Sequence, residues 1–123
     1  MARTARTELL LLDADCCTPV GAGELSQSEA ERLARVLKAI ADPTRLRLVS
    51  IVAAHDDQEA CVCELTEPVG LTQGTVSHHL KVLVDAGIFS REQRGRWAYY
   101  RAVPETLQAI AQAIAPRPVG ATA

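Results

Sequence analysis

Apolar residues recur at three- and four-residue intervals through most of this chain, and only one stretch abandons that rhythm. Leu33, Val36, Leu37 and Ile40 fall at helical spacing behind Ser26-Gln27-Ser28-Glu29. That tetrad is a capping box, in which the serine hydroxyl and the glutamate carboxylate each satisfy a free backbone N–H of the first turn. Asp42-Pro43 reads as the N-cap and first residue of a second helix, because proline lacks only an N–H that would have no partner there. This helix is expected to reach about Ala54, with Leu46, Val49, Ile51 and Val52 as its apolar face. His55-Asp56-Asp57-Gln58 is a polar connector; a short helix is then expected from about Cys61 to Glu67, and a turn at Pro68-Val69-Gly70-Leu71.

From Thr72 to Ala86, Val76, Leu80 and Leu83 form one stripe while Gly74, Ser77, His78, Lys81 and Asp85 point the other way. Two helices joined by a tight glycine-containing turn, the second with a polar outer face, make a helix-turn-helix. Gly87 suits a C-cap. The exception to helical spacing follows. Two strand-like runs, Ile88–Glu92 and Trp97–Arg101, flank Gln93-Arg94-Gly95-Arg96, a hairpin turn that calls for positive φ at Gly95. A basic hairpin directly behind a recognition helix is a wing. Pro104 opens a last helix with Leu107, Ile110, Ala111 and Ile114, ending before Pro116 and Pro118. The predicted fold is mainly α with one β-hairpin, a winged helix-turn-helix. An N-terminal arm covers residues 1–24, the folded domain 25–115 and a tail 116–123.

With 123 residues, 48% of them apolar, the chain suffices for one small core and not for two independent domains. Asp13 and Asp15 end the Leu9–Leu12 run far short of signal-peptide or membrane-spanning length. A cytoplasmic protein with no membrane partner is therefore expected. In that reducing compartment Cys16, Cys17, Cys61 and Cys63 read as thiols for metal or redox chemistry rather than a disulfide framework.

The net charge of −2 argues at first against a nucleic-acid partner, but its distribution reverses the impression. Residues 1–70 carry seven Arg/Lys against twelve Asp/Glu, and residues 71–123 six against three. Lys81, Arg91, Arg94, Arg96 and Arg101 cluster as a phosphate-binding footprint would. On the recognition helix Gln73, Thr75, Ser77, His78 and Lys81 are the candidate contacts to double-stranded DNA: glutamine can pair with adenine, lysine with guanine or phosphate. Arg94 and Arg96 at the hairpin tip are expected to reach a groove or phosphates. His79, nearer the apolar boundary, reads as a packing or hydrogen-bonding residue. A merely solvated helix face is the alternative, and the adjoining basic hairpin argues against it.

Thiolates select soft ions, so the cysteines favour As(III), Sb(III), Cd(II) or Pb(II) over hard cations. Two residues apart on an α-helix, Cys61 and Cys63 would diverge by about 200°. Joint chelation therefore requires a distorted or non-helical first turn, and ion binding would strain a helix packed against the recognition helix. Neither cysteine pair has the Cys-x-x-Cys form of a redox enzyme, and no acid/base pair, nucleophile constellation or phosphate loop is present. An enzyme is not expected. A thiol-redox-responsive regulator remains as an alternative that keeps the DNA half of the reading.

Leu37-Lys38-Ala39-Ile40-Ala41-Asp42-Pro43-Thr44-Arg45-Leu46-Arg47, then Cys61-Val62-Cys63-Glu64-Leu65, then Leu71-Thr72-Gln73 with Val76-Ser77-His78-His79-Leu80, and finally Gly95-Arg96 with Tyr99-Tyr100, together resemble the ArsR/SmtB family of metal-responsive repressors. The resemblance covers roughly residues 30–103. It implies a winged-helix homodimer with the first and last helices at its interface, repressing from an operator and released when As(III) or Sb(III) binds cysteine thiolates. Cd(II) or Pb(II) is the alternative inducer. A two-fold dimer should read an inverted repeat with half-sites about one helical turn apart or a small multiple of it. In the arsenic-sensing branch a third thiolate often follows closely on the Cys-Val-Cys pair, but Thr66 stands there. The missing ligands implied by related branches are Cys16 and Cys17, supplied across the dimer: three thiolates around As(III) or Sb(III), or four around Cd(II) or Pb(II). The family's other site uses Asp, His and Glu of the last helix, where this chain has only Glu105.

Overall fold

A computed structural model describes residues 24–115, so the arm with Cys16 and Cys17 and the tail from residue 116 lie outside the described residues. The capping box forms: Glu29 N–H donates to Ser26 Oγ at 3.1 Å and Ser26 N–H to Glu29 Oε1 at 2.8 Å. It opens helix α1, Gln27–Ile40. Asp42 caps α2, Pro43–Ala54, accepting the Arg45 N–H at 3.1 Å. That bond is the main cause holding the Asp42 carboxyl below its ordinary range.

The buried face of α2 differs from expectation. Leu48 and Val52, one turn apart, are fully buried, whereas Leu46 is 52% exposed and Val49 and Ile51 are half-buried. Five apolar residues spread around this helix leave no single dominant stripe, so tertiary packing chooses among them.

After a 3₁₀ turn at Asp56–Gln58 comes a strand that the sequence did not announce, β1, Glu59–Cys61. Helix α3, Val62–Val69, starts one residue later than expected, with Cys61 as its N-cap. Three residues are too few to display strand alternation, and their partner lies far along the chain. Helix α4 spans Gln73–Asp85, with Thr72 as N-cap accepting the Thr75 N–H at 3.3 Å.

Strands β2, Phe89–Arg94, and β3, Trp97–Ala102, form the hairpin, and α5 spans Pro104–Ile114. Pairing runs out to Arg94 opposite Trp97, which leaves a two-residue loop, Gly95-Arg96, in place of the four residues expected. Gly95 adopts φ 63°, the positive value that such short loops need. The sheet order is β1-β3-β2, antiparallel throughout.

Residues 38–103 form one compact unit. Its core is Leu48, Val52, Leu65, Val76, Leu80, Leu83, Ile88 and Phe89, all without solvent exposure. Each such side chain contributes about 1.5–3 kcal/mol of apolar burial. The second unit contains α1 as far as Leu37 together with α5. There Leu33, Val36, Thr106 and Ala113 are buried. The predicted apolar face of α5 stays largely open: Leu107 and Ile110 are half-buried, Ala111 is exposed and Ile114 is 52% exposed. Among the described residues no helix is long and apolar enough to cross a membrane.

Candidate nucleic-acid interface and thiol site

Val76, Leu80 and Leu83 seat α4 against α2, α3 and β2. The opposite side of α4 then faces outward. Gln73, Thr75, His78 and Lys81 are exposed and Ser77 is half-buried. The Thr75 hydroxyl accepts from that of Thr72 at 3.0 Å, and Lys81 Nζ lies 2.9 Å from Asp85 Oδ2. The latter is an exposed i,i+4 pair, weak enough for a phosphate to displace. Ser77, Lys81, Val84 and Asp85 line a shallow groove shared with Arg91 and Tyr100. Arg91 Nε donates to Tyr100 Oη at 3.3 Å and its Nη2 to Gln93 Oε1 at 2.7 Å.

His79 forms the hydrogen bond expected of it, with a partner the sequence did not disclose. Arg45 Nη1 lies 3.0 Å from His79 Nδ1, and Arg45 Nε donates to the Ala39 carbonyl. A guanidinium can only donate, so Nδ1 accepts and the ring proton sits on Nε2. The start of α2 is thereby tied to the recognition helix.

The two wing arginines have different surroundings. Arg96 is exposed in the loop and has no ion-pair partner among the described residues. Arg94 is engaged on all sides: Nη1 meets Glu59 Oε1 at 3.0 Å, Nη2 meets Glu59 Oε2 and Glu92 Oε1 each at 2.6 Å, and its carbon lies 4.4 Å from the Tyr99 ring centroid. Arg101 Nη2 joins Glu59 Oε2 at 3.1 Å. The Arg94 hydrogen bond is the largest cause holding the Glu59 carboxyl below its ordinary value, and Glu59 in turn raises the basicity of Arg94. Nothing in the local sequence marks Glu59, because its partners stand 35 and 42 residues away and only strand pairing brings them together. Trp97, beside the loop, is 45% exposed and is the chain's only tryptophan.

Cys61 has extended backbone angles, φ −76° and ψ 149°. Its sulfur accepts the Cys63 N–H at 3.3 Å while its own N–H donates to Glu64 Oε1 at 2.8 Å. A thiol thus fills a capping position usually held by a hydroxyl or carboxylate. Because Cys61 precedes the helix, the divergence expected of two helical cysteines does not arise. Cys61 is 3% exposed and Cys63 is open to solvent. The neighbouring Cys61 side chain is the first cause pushing the Cys63 thiol above its ordinary value.

Thr66 Oγ1 donates to the Val62 carbonyl at 2.8 Å, and no group of three or more His, Cys, Asp or Glu able to hold an ion occurs among the described residues. Cys16 and Cys17 lie outside them. Glu64 Oε2 stands 3.6 Å from His55 Nε2, and His55 Nδ1 lies 2.9 Å from the Ile51 carbonyl.

A recognition helix seated by its apolar stripe and followed by a two-residue-loop hairpin defines a winged helix-turn-helix regulator. Residues 42–90 match the family described as "Bacterial regulatory protein, arsR family". A solved structure of the AntR antimony-specific transcriptional repressor is 31% identical with a TM-score of 0.60, over 70% of this chain and 77% of that one. The chain belongs to the ArsR family, whose members are DNA-binding transcription factors rather than enzymes. It is also 44% identical over 73 residues to the arsenic resistance transcriptional regulator ArsR1 of Pseudomonas putida, covering 59% of this chain and 56% of that protein. The chain therefore spans little more than half of that relative's length. A homodimeric winged helix-turn-helix domain from Mycobacterium bovis is 26% identical with a TM-score of 0.59, over 72% of this chain and 82% of that one.

Proposed function

We propose that the protein is a homodimeric repressor that leaves its operator when As(III) or Sb(III) is captured by cysteine thiolates. The observation that carries this reading is the pairing of the Cys61 and Cys63 sulfur-bearing residues at the start of α3, a helix packed against the recognition helix α4. Capture of the Cys61 sulfur removes the acceptor of the Cys63 N–H and loosens the first turn of α3. Each thiol gives up its proton on binding. Strain passed from α3 to α4 needs only the 1–3 kcal/mol, about 5–150-fold, that is typical of coupling between sites.

Gln73, Thr75, Ser77, His78 and Lys81 enter the major groove, and Arg96 offers the wing's available charge while Arg94 holds the hairpin's shape. The open apolar face of α5 supports the dimer, as does the homodimeric Mycobacterium bovis domain of this fold. The dimer reads an inverted repeat in the cytoplasm. One of Cys16 and Cys17 supplies the third thiolate to As(III) or Sb(III), and both together supply the third and fourth to Cd(II) or Pb(II). With four thiols in the chain, Cd(II) or Pb(II) is the second reading.

The test is release of a duplex, selected by the protein from a random-sequence pool, during titration with As(III), Sb(III), Cd(II), Pb(II) and Zn(II). Wild type is compared with Cys16→Ser and Cys17→Ser. Release by As(III) and Sb(III) at the lowest concentrations, weakened in an arm variant, is expected. Release first by Cd(II) or Pb(II) selects the second reading, and release by mild oxidation alone, with loss of free thiols, replaces both with a redox regulator.

A further inference from the structure

Glu59, Ala60 and Cys61 make up the whole of β1, an edge strand paired only with β3. Glu59 stands opposite Arg101 and Cys61 opposite Tyr99; across the other edge of β3, Glu92 faces Tyr99 and Arg94 faces Trp97. Directly opposed residues share a face of a sheet. Glu59, Cys61, Tyr99, Arg94 and Trp97 thus lie on one face, opposite to the buried Ala98, Tyr100 and Ala102. On that face the Glu59 carboxylate takes both arms of the Arg94 guanidinium, a fork that fixes geometry as well as attraction. The Glu59 side chain is 16% exposed, so the pair is partly shielded from water. Arg94 is the last residue of β2 before the Gly95-Arg96 loop.

We propose that Glu59 is a positioning residue that transmits the state of the Cys61 and Cys63 thiols to the DNA-binding wing. This rests on ion capture by those thiols, as proposed above. Cys61 is 3% exposed and its sulfur is already hydrogen-bonded, so an ion gains it only if the junction between β1 and α3 shifts. A strand of three residues has no slack in which to absorb that shift, and Glu59 moves with Cys61. Arg94 then follows its carboxylate or loses it, and in both cases the loop bearing Arg96 is displaced. Glu59 touches neither ion nor DNA in this scheme. The path runs through the sheet and is separate from the contact of α3 with α4.

Trp97 makes the idea measurable, because the only tryptophan sits opposite Arg94 on the wing. Three readings are taken during titration with As(III): sulfur-to-arsenic absorption for capture, Trp97 emission for the wing, and anisotropy of labelled operator for release. Wild type should show an emission change in step with the absorption. Glu59→Gln should keep the absorption titration and hold its ion-free operator affinity to within about threefold, while at least half of the emission response and about threefold or more of the As(III)-induced affinity loss disappear. Arg94→Lys, which keeps the charge but not the fork, should lose the same share of the response, and it carries the test if Glu59→Gln loses its helical circular dichroism. Wild-type emission response and release in these variants overturn the role of Glu59 alone. No absorption in wild type overturns the proposed function, and the role of Glu59 with it.

Discussion

Replacing Cys61 by serine and by alanine separates its work as a helix cap from its work as an ion ligand. Loss of an N-cap costs about 0.5–2 kcal/mol, and a thiol 3.3 Å from its donor belongs at the lower end, near 0.5 kcal/mol. Alanine also gives up the buried sulfur, worth about one methylene or ~0.8 kcal/mol for a residue only 3% exposed. Cys61→Ala should therefore lose about 1–1.5 kcal/mol. Serine is a better cap than cysteine and offsets most of the lost burial, so Cys61→Ser should fall by about 0.5 kcal/mol or less. At ~4–8 °C per kcal/mol for a domain of this size, the alanine variant melts roughly 4–12 °C below wild type and the serine variant less than about 4 °C below it. Thermal unfolding at one fixed protein concentration measures this, since dimer formation ties Tm to concentration. Equal destabilisation by serine and alanine, or a loss of more than about 2 kcal/mol with serine, would show that the sulfur acts as packing and not as a cap.

Leu80→Ala empties a site with no solvent exposure beneath the recognition helix and should cost about 2–5 kcal/mol in urea unfolding; a loss below ~1 kcal/mol would mean that α4 is not seated as described. Arg96→Ala should weaken binding alike on specific and random duplexes and lower the slope of log affinity against log salt by about two, one for each subunit of the dimer; an unchanged slope removes Arg96 from the phosphate contacts. Asp42 has a folded-state pKa below its ordinary 3.8, so its contribution is full above that value and disappears as pH falls through the folded-state pKa. Asp42→Asn, which keeps a capping oxygen, should show a shallower fall of Tm in that acid range, and identical acid limbs would refute the assignment.

Local chemistry was legible in the sequence. Ser26 with Glu29, Asp42-Pro43 and Gly95 each announce a cap or turn through groups a few residues apart, and the two caps and the positive φ form as announced. The Val76-Leu80-Leu83 stripe likewise needed only helical periodicity. What was missed depends on distant partners. The strand Glu59–Cys61 exists because β3 pairs with it, and β2 reaches Arg94 because that residue pairs with Trp97, while Glu59 and Glu92 hold its guanidinium. The length of the loop and the non-helical placement of Cys61 follow from that pairing. Leu46 is expected on the apolar face of α2 with Val49, Ile51 and Val52, yet it faces solvent, and Leu48 and Val52 take the core side.

The central claim, that thiols at the start of α3 govern DNA binding, is tested most directly by operator anisotropy under As(III) titration with wild type and Cys61→Ser/Cys63→Ser side by side. Wild type should lose about 5–150-fold in operator affinity at saturating As(III), and the double variant should hold its DNA undiminished. Release of the double variant at the same As(III) concentrations, or a wild type that stays bound, would contradict the account.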